Sequence, residues 1–168
     1  RRGVHQRPGN PLRGRLSVSR LMAEYRIEWM RQMVTRQPRI FDAQTLSTLR
    51  QGTSFFASAA MLAIGGLLAA ISNAEQLVGL AQDLSISRDP KFVWEVKLLA
   101  TMIFLTNAFL KFVWAHRLFG YCAVLMGAVP NDATDPMALP RAEKAGAINV
   151  TGARSYNQGL RSVYFALA

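Results

Sequence analysis

Residues 51 to 72, QGTSFFASAAMLAIGGLLAAIS, carry no charged side chain across 22 positions. As a helix rising about 1.5 Å per residue, such a run is long enough to cross a hydrocarbon core of about 30 Å. A second stretch, LLATMIFLTNAFLKFVWAHRL at 98 to 118, is nearly as apolar. Backbone in lipid must satisfy its own hydrogen bonds, which leaves helices as the natural form of two such segments. The predicted fold class is all-α, a transmembrane helical bundle. A hydrophobic content of 51% and a positive mean hydropathy agree with a chain that exposes much of its surface to lipid.

Charge orients the spans. Residues 1–50 hold 11 of the 20 Arg and Lys but only three acids, Glu24, Glu28 and Asp42. Residues 117–161 hold five more basic residues and 73–97 hold three. Short basic segments beside membrane helices stay on the cytoplasmic side. The expected topology is therefore multi-pass in the cell inner (plasma) membrane, with 1–50 and 117–161 cytoplasmic. The basic block is read as a topological signal, so the lipid bilayer is the expected partner and nucleic acid is not.

Along the chain, residues 1–16 mix five arginines with Pro8, Pro11 and three glycines, and read as a basic flexible arm. Residues 17–50 read as amphipathic helices. Met22, Tyr25, Trp29 and Met33 recur at spacings of three and four and gather on one face. That helix either lies in the membrane interface or is a cytoplasmic helix packed on a partner. Pro38 ends it, and Asp42 is placed to cap the next helix, from about Ala43. The first span, 51–72, carries small residues at Ala59, Ala63, Gly65, Gly66, Ala69 and Ala70, a nearly smooth face suited to close helix packing. Residues 73–93 form an outer loop and 94–117 the second span. The apolar run from 118 to 129 extends that helix on the cytoplasmic side. Pro130, Pro136, Pro140, Gly146 and Gly152 then mark a loop up to 157 with at most a short helix in it. Residues 158–168 read as the start of a further span, anchored at the interface by Arg161 and Tyr164. The absence of an initial methionine and the apolar last residues lead us to expect a portion of a longer protein.

Trp94 and Trp114 stand twenty residues apart, about 30 Å on a helix, and bracket the second span as interface anchors, a role also assigned to Trp29. Lys97 and Lys111 each lie three residues inside a bracketing tryptophan. From about one turn below the interface, a lysine stem brings its ammonium to the headgroups, so snorkelling is the favoured reading of Lys111. The alternative is a polar stripe, since Lys97, Thr101, Asn107 and Lys111 share an arc about 120° wide. Thr101 and Asn107 are read more simply as interhelical hydrogen-bonding groups.

Catalytic constellations are missing from the sequence: no Walker loop, no GxSxG, no HExxH and no close pair of buried carboxylates. The expectation is a non-enzyme with no cofactor and no metal. Cys122 is the single cysteine, so neither an internal disulfide nor a cysteine zinc site can form. His116 is a weak candidate for a haem or pigment ligand, without an evident second ligand, and His5 is weaker still.

Four stretches, EYRIEWMRQMVTRQPRIFDAQTLSTL at 24–49, SFFASAAMLAIGGLLA at 54–69, WEVKLLATMIFLTNAFLKFVWAHR at 94–117 and YNQGLRSVYFALA at 156–168, together resemble the uncharacterised multi-pass membrane family known as domain of unknown function 599 (DUF599). The resemblance covers most of the chain from about Leu21. Its matching positions are Arg26, Trp29, Arg36, Arg39, Asp42, Ser54, Phe55, Phe56, Ser58, Trp94, Glu95, Lys97, Lys111, Trp114, Asn157, Arg161, Tyr164 and Phe165. It implies a four-helix membrane protein, with one span before this chain and a fourth completed after Ala168. Two departures stand out: Tyr156 and Gln158 replace a second aromatic-plus-basic pair, and His116 fills a usually apolar position. The family supplies no activity. The leading expectation is a non-catalytic accessory or scaffold subunit of a membrane complex, or a homo-oligomer. The alternative is a small permease or channel built on the Lys97, Thr101, Asn107 and Lys111 stripe.

Overall fold

The computed structural model describes residues 17–73 and 91–168, together with positions 75, 76 and 79. The arm expected over 1–16 and most of the outer loop expected over 73–93 lie outside the described residues. Among the described residues four helices are delimited: α1 (Val18–Met33), α2 (Ile40–Ser72), α3 (Lys91–Gly127) and α4 (Ala138–Leu167). No strand occurs among the described residues.

By length and composition α2 and α3 can each cross a membrane. Only 6% of the most apolar 18-residue window of α2, and 22% of that of α3, is buried within the chain. A core helix of a water-soluble domain would be mostly enclosed; these present their apolar surface outward, as lipid-facing helices do. At 33 and 37 residues both helices exceed the hydrocarbon thickness. The surplus projects at the basic end, where α2 begins and α3 finishes.

The helices pack in the order α2, α3, α4, α1, with α3 and α4 on the inside. Two buried clusters hold them. The larger joins Met30, Met33, Leu46, Ala115, Phe119, Cys122 and Met126 to Ala138, Ala142 and Ala145, at the basic end of the bundle. The smaller consists of Ala60, Ala108 and Phe112, between the spans.

α4 is the principal departure from the sequence reading, which expected a loop up to 157. It is a continuous helix from Ala138. Pro140 lies in its first turn, where its missing N–H costs nothing. Asp135 accepts from the Met137 amide at 2.7 Å and its carbonyl accepts from the Ala138 amide at 3.0 Å, which anchors the start. The glycines read as breakers are contact points instead. A β-carbon at Gly152 would stand 3.0 Å from Phe119, and one at Gly146 would stand 3.2 Å from the Ile27 α-carbon. Ala138, Ala142, Ala145, Gly146, Asn149, Gly152, Ser155, Gly159 and Ser162 form one buried stripe at spacings of three and four along α4. The small side chains let α3 and α1 approach closely.

α1 differs in rotation. Its buried residues are Met30 and Met33, while Met22 and Tyr25, expected on the same face, are 45% and 61% exposed. Docking on α4 at Gly146 through Ile27 turns the helix away from the periodicity of its own large side chains. An Arg31–Glu143 ion pair at 2.9 Å pins the same contact from outside. Asp42 is not a cap either: α2 begins at Ile40, which puts Asp42 inside the first turn, fully buried.

Candidate functional site

The polar residues of the basic end fall into two groups. In the first, Asp42 Oδ1 accepts from Trp29 Nε1 at 2.7 Å and is paired with Arg36. A buried carboxylate needs such partners, because an unpaired one would cost several kcal/mol. Next to it Arg39 donates from Nη1 to the Val129 carbonyl at 2.8 Å and from Nη2 to that of Pro130 at 2.7 Å. Arg141 donates to the Ala128 carbonyl at 2.8 Å. Both arginines thus satisfy carbonyls just past the end of α3, where positive charge also complements the helix dipole. This group ties together the α1–α2 connection, the start of α2 and the α3–α4 connection.

The second group surrounds a cavity of about 820 Å³ between α1, α2 and α4. Arg20 and Arg26 reach it from α1, and Arg154 and Arg161 from α4. Asn157 and Gln158 add amides, Ser17 and Ser19 add hydroxyls, and Gly52 and Thr53 of α2 form the wall at the start of the first span. Among the described residues no carboxylate lines it. Arg154, Asn157, Gln158 and Arg161 follow the i, i+3, i+4, i+7 pattern of one helical face. Arg26 is half-buried and donates to Asn149 Oδ1, itself fully buried. Burial pushes the Arg26 guanidinium below its ordinary pKa, and the nearby Cys122 works the other way. Asn149 Nδ2 in turn lies 3.5 Å from the Cys122 sulfur, whose thiol donates to the Ala145 carbonyl at 3.4 Å. A buried amide, not an acid, therefore orients the Arg26 side chain beside the cavity.

The residues singled out from the sequence are dispersed. Lys97 is exposed, and its carbonyl accepts from Thr101 Oγ1 at 2.9 Å within α3. Asn107 Nδ2 donates to Ser162 Oγ at 2.6 Å, an α3–α4 bond. Lys111 is half-buried, and its carbonyl accepts from Ser155 Oγ at 3.1 Å. None of the four lines the arginine cavity or the smaller one between α2 and α3. His116 Nδ1 lies 3.3 Å from both Thr53 Oγ1 and the Arg50 carbonyl, so its ring joins α3 to the start of the α2 span. Trp94 is half-buried and its Nε1 has no partner among the described residues, whereas Trp114 is 49% exposed. Trp29 is turned to Asp42. Arg161 and Tyr164 are exposed. On α2, Ala59, Ala63, Gly65, Gly66 and Ala69 are exposed and Ala70 is half-buried; no described atom lies within 4 Å of a β-carbon built on either glycine. α2 uses a different side, with Thr53, Phe56 and Ala60, against α3 and α4.

Sequence reasoning missed the arginine cavity and the buried stripe of α4. The α4 spacing was readable once Pro140 was allowed in a first turn. The meeting of Arg20 and Arg26 with Arg154 and Arg161 depends on the docking of α1, which no local pattern encodes. Among the described residues no group of three or more His, Cys, Asp or Glu side chains is placed to hold a metal.

An all-helical bundle with two helices long and apolar enough to cross a membrane, basic at the end where its connections meet, defines the class as a membrane-associated helical protein. Within that class, the family model described as protein of unknown function, DUF599, matches residues 9–168, and the chain belongs to that family. No curated relative and no solved structure matches it.

Proposed function

We propose that this chain is a non-catalytic membrane subunit that acts by helix packing, as the accessory or scaffold part of a membrane complex or as a homo-oligomer. The observation that carries this reading is the small-residue side of α2. Gly65 and Gly66 have nothing within 4 Å of a built β-carbon, and Ala59, Ala63 and Ala69 on the same helix are exposed. Without a hydrophobic effect between helices in lipid, association relies on close backbone approach at such residues. The equivalent small residues of α4 are already covered by α3 and α1. In this reading the protein is multi-pass in the inner (plasma) membrane with its basic end in the cytoplasm, takes no cofactor, and has other membrane subunits or its own copies as partners. Native mass determination of the full chain purified in mild detergent tests it. A stable complex or oligomer that Gly66→Leu disperses, while the helical content stays unchanged, is the expected result. A lone monomer from mild extraction would overturn the proposal.

A further inference from the structure

The arginine cavity lies apart from the small-residue side of α2, and what it binds does not depend on the packing role. Arg20, Arg26, Arg154 and Arg161 converge on one space, and among the described residues none of them has a carboxylate within ion-pair distance. Elsewhere at the basic end Arg36 is matched by Asp42 and Arg31 by Glu143, while Arg39 and Arg141 are engaged by backbone carbonyls. Residues 1–16 bring five further arginines and no acid, so the chain's own amino-terminal stretch does not supply the missing charge. The first turn of α1, capped by Ser17, forms part of the wall and adds the positive end of a helix dipole. Guanidinium forks match the oxygens of a phosphate bidentately, and the amides of Asn157 and Gln158 add neutral donors.

We propose that this cavity binds a phosphate-bearing anion, held by Arg154 and Arg161 from one side and by Arg20 and Arg26 from the other. Two sources share that chemistry: the headgroup of an anionic phospholipid and a free phosphate compound. A volume of about 820 Å³ is ample for either. The cavity reaches from Ser17 to Gly52 and Thr53 at the start of the first span, which brings it to headgroup level.

The test uses the purified full chain in detergent with four probes: phosphatidylglycerol, phosphatidylcholine, inorganic phosphate and polyglutamate. Binding is read by native mass spectrometry and by the shift of the thermal midpoint at fixed ionic strength. The double variant Arg154→Gln/Arg161→Gln is expected to weaken binding of the phosphate probe by roughly tenfold or more, while the charge-matched Lys144→Gln/Arg117→Gln stays within about twofold of the parent. Preference for phosphatidylglycerol over phosphatidylcholine, lost in the first variant, assigns the site to lipid. A shift with inorganic phosphate alone, lost in the same variant, assigns it to a free anion. Equal losses in both double variants would reduce the effect to diffuse surface charge and overturn the proposal, as would no binding of either anionic probe by the parent chain. Selective capture of polyglutamate with no response to either phosphate probe overturns it too. Should the first variant not fold, Asn157→Glu places a carboxylate in the same space and is held to the same outcomes.

Discussion

A β-carbon added to Gly159 would stand 2.7 Å from Cε1 of Phe112, closer than real contacts allow. The Phe112 ring is fully buried, with Phe56 and Tyr156 at centroid distances of 5.5 and 5.6 Å, so it cannot withdraw. The seam between α3 and α4 thus depends on a missing side chain. Gly159→Ala is expected to destabilise the bundle by about 1–3 kcal/mol through overpacking, partly offset by a helix-propensity gain of up to about 1 kcal/mol. Gly65→Ala, with nothing within 4 Å, should gain the propensity and lose nothing within the chain. Thermal midpoints of the two variants in one detergent separate these cases, and equal midpoints would refute the seam as described.

Asp42 is fully buried and its Oδ1 takes both the Trp29 indole and Arg36. Asp42→Asn keeps the shape but removes the charge that faces Arg36. Loss of one partner of a buried pair costs about 3–5 kcal/mol, and the Arg36 side chain is 37% exposed, so a cost of about 2–3 kcal/mol is expected here. Chemical denaturation of the purified protein measures it. An unchanged unfolding midpoint would mean that the buried carboxylate does not fasten α1 to α2.

The two helices of membrane-spanning length and composition were legible because lipid sets limits that 51–72 and 98–118 meet without help from distant residues. The course of α3 beyond Arg117 was also readable as an apolar continuation. α4 was not, because the same glycine signals a turn when isolated and a tight helix contact when a Phe faces it, as Phe119 faces Gly152. Asp42 was misassigned for a related reason: capping is a local rule, whereas its burial is set by Trp29 and Arg36 from outside the helix. The arginine cavity needed the docking of α1 onto α4. Arg20 and Arg26 lie more than a hundred residues from Arg154 and Arg161, and no periodic signal links the two pairs.

The α1–α2 and α3–α4 connections meet, with Gln37 Nε2 donating to the Asn131 carbonyl at 2.6 Å and Arg39 to that of Val129 at 2.8 Å. Both must lie on one side of the bilayer. Cys122 is buried and serves as an unreactive background for single-cysteine labelling. Gln44→Cys and Ala133→Cys, both at exposed positions, should react with a membrane-impermeant maleimide only from the cytoplasmic face, and Glu75→Cys only from the opposite face. Labelling of positions 44 and 133 from different compartments would rule out the two-span arrangement.

Lys111 decides between an anchor and a transport path. Its backbone carbonyl is held by Ser155, its side chain is half-buried, and it lines neither of the two cavities described. Three residues from Trp114, an ammonium can reach headgroups along its own stem, so its charge needs no intramembrane counter-ion. Lys111→Met should therefore insert normally, keep the oligomeric state of the parent, and change stability by no more than about 0.5 kcal/mol, the usual scale for a side chain with no specific partner, as here among the described residues. The decisive measurement is ion conductance of the reconstituted protein in planar bilayers, parent beside variant. A conductance present in the parent and abolished in the variant would make the lysine part of a permeation path and displace the packing role. Silence in both, with assembly intact, is the outcome that a snorkelling anchor requires.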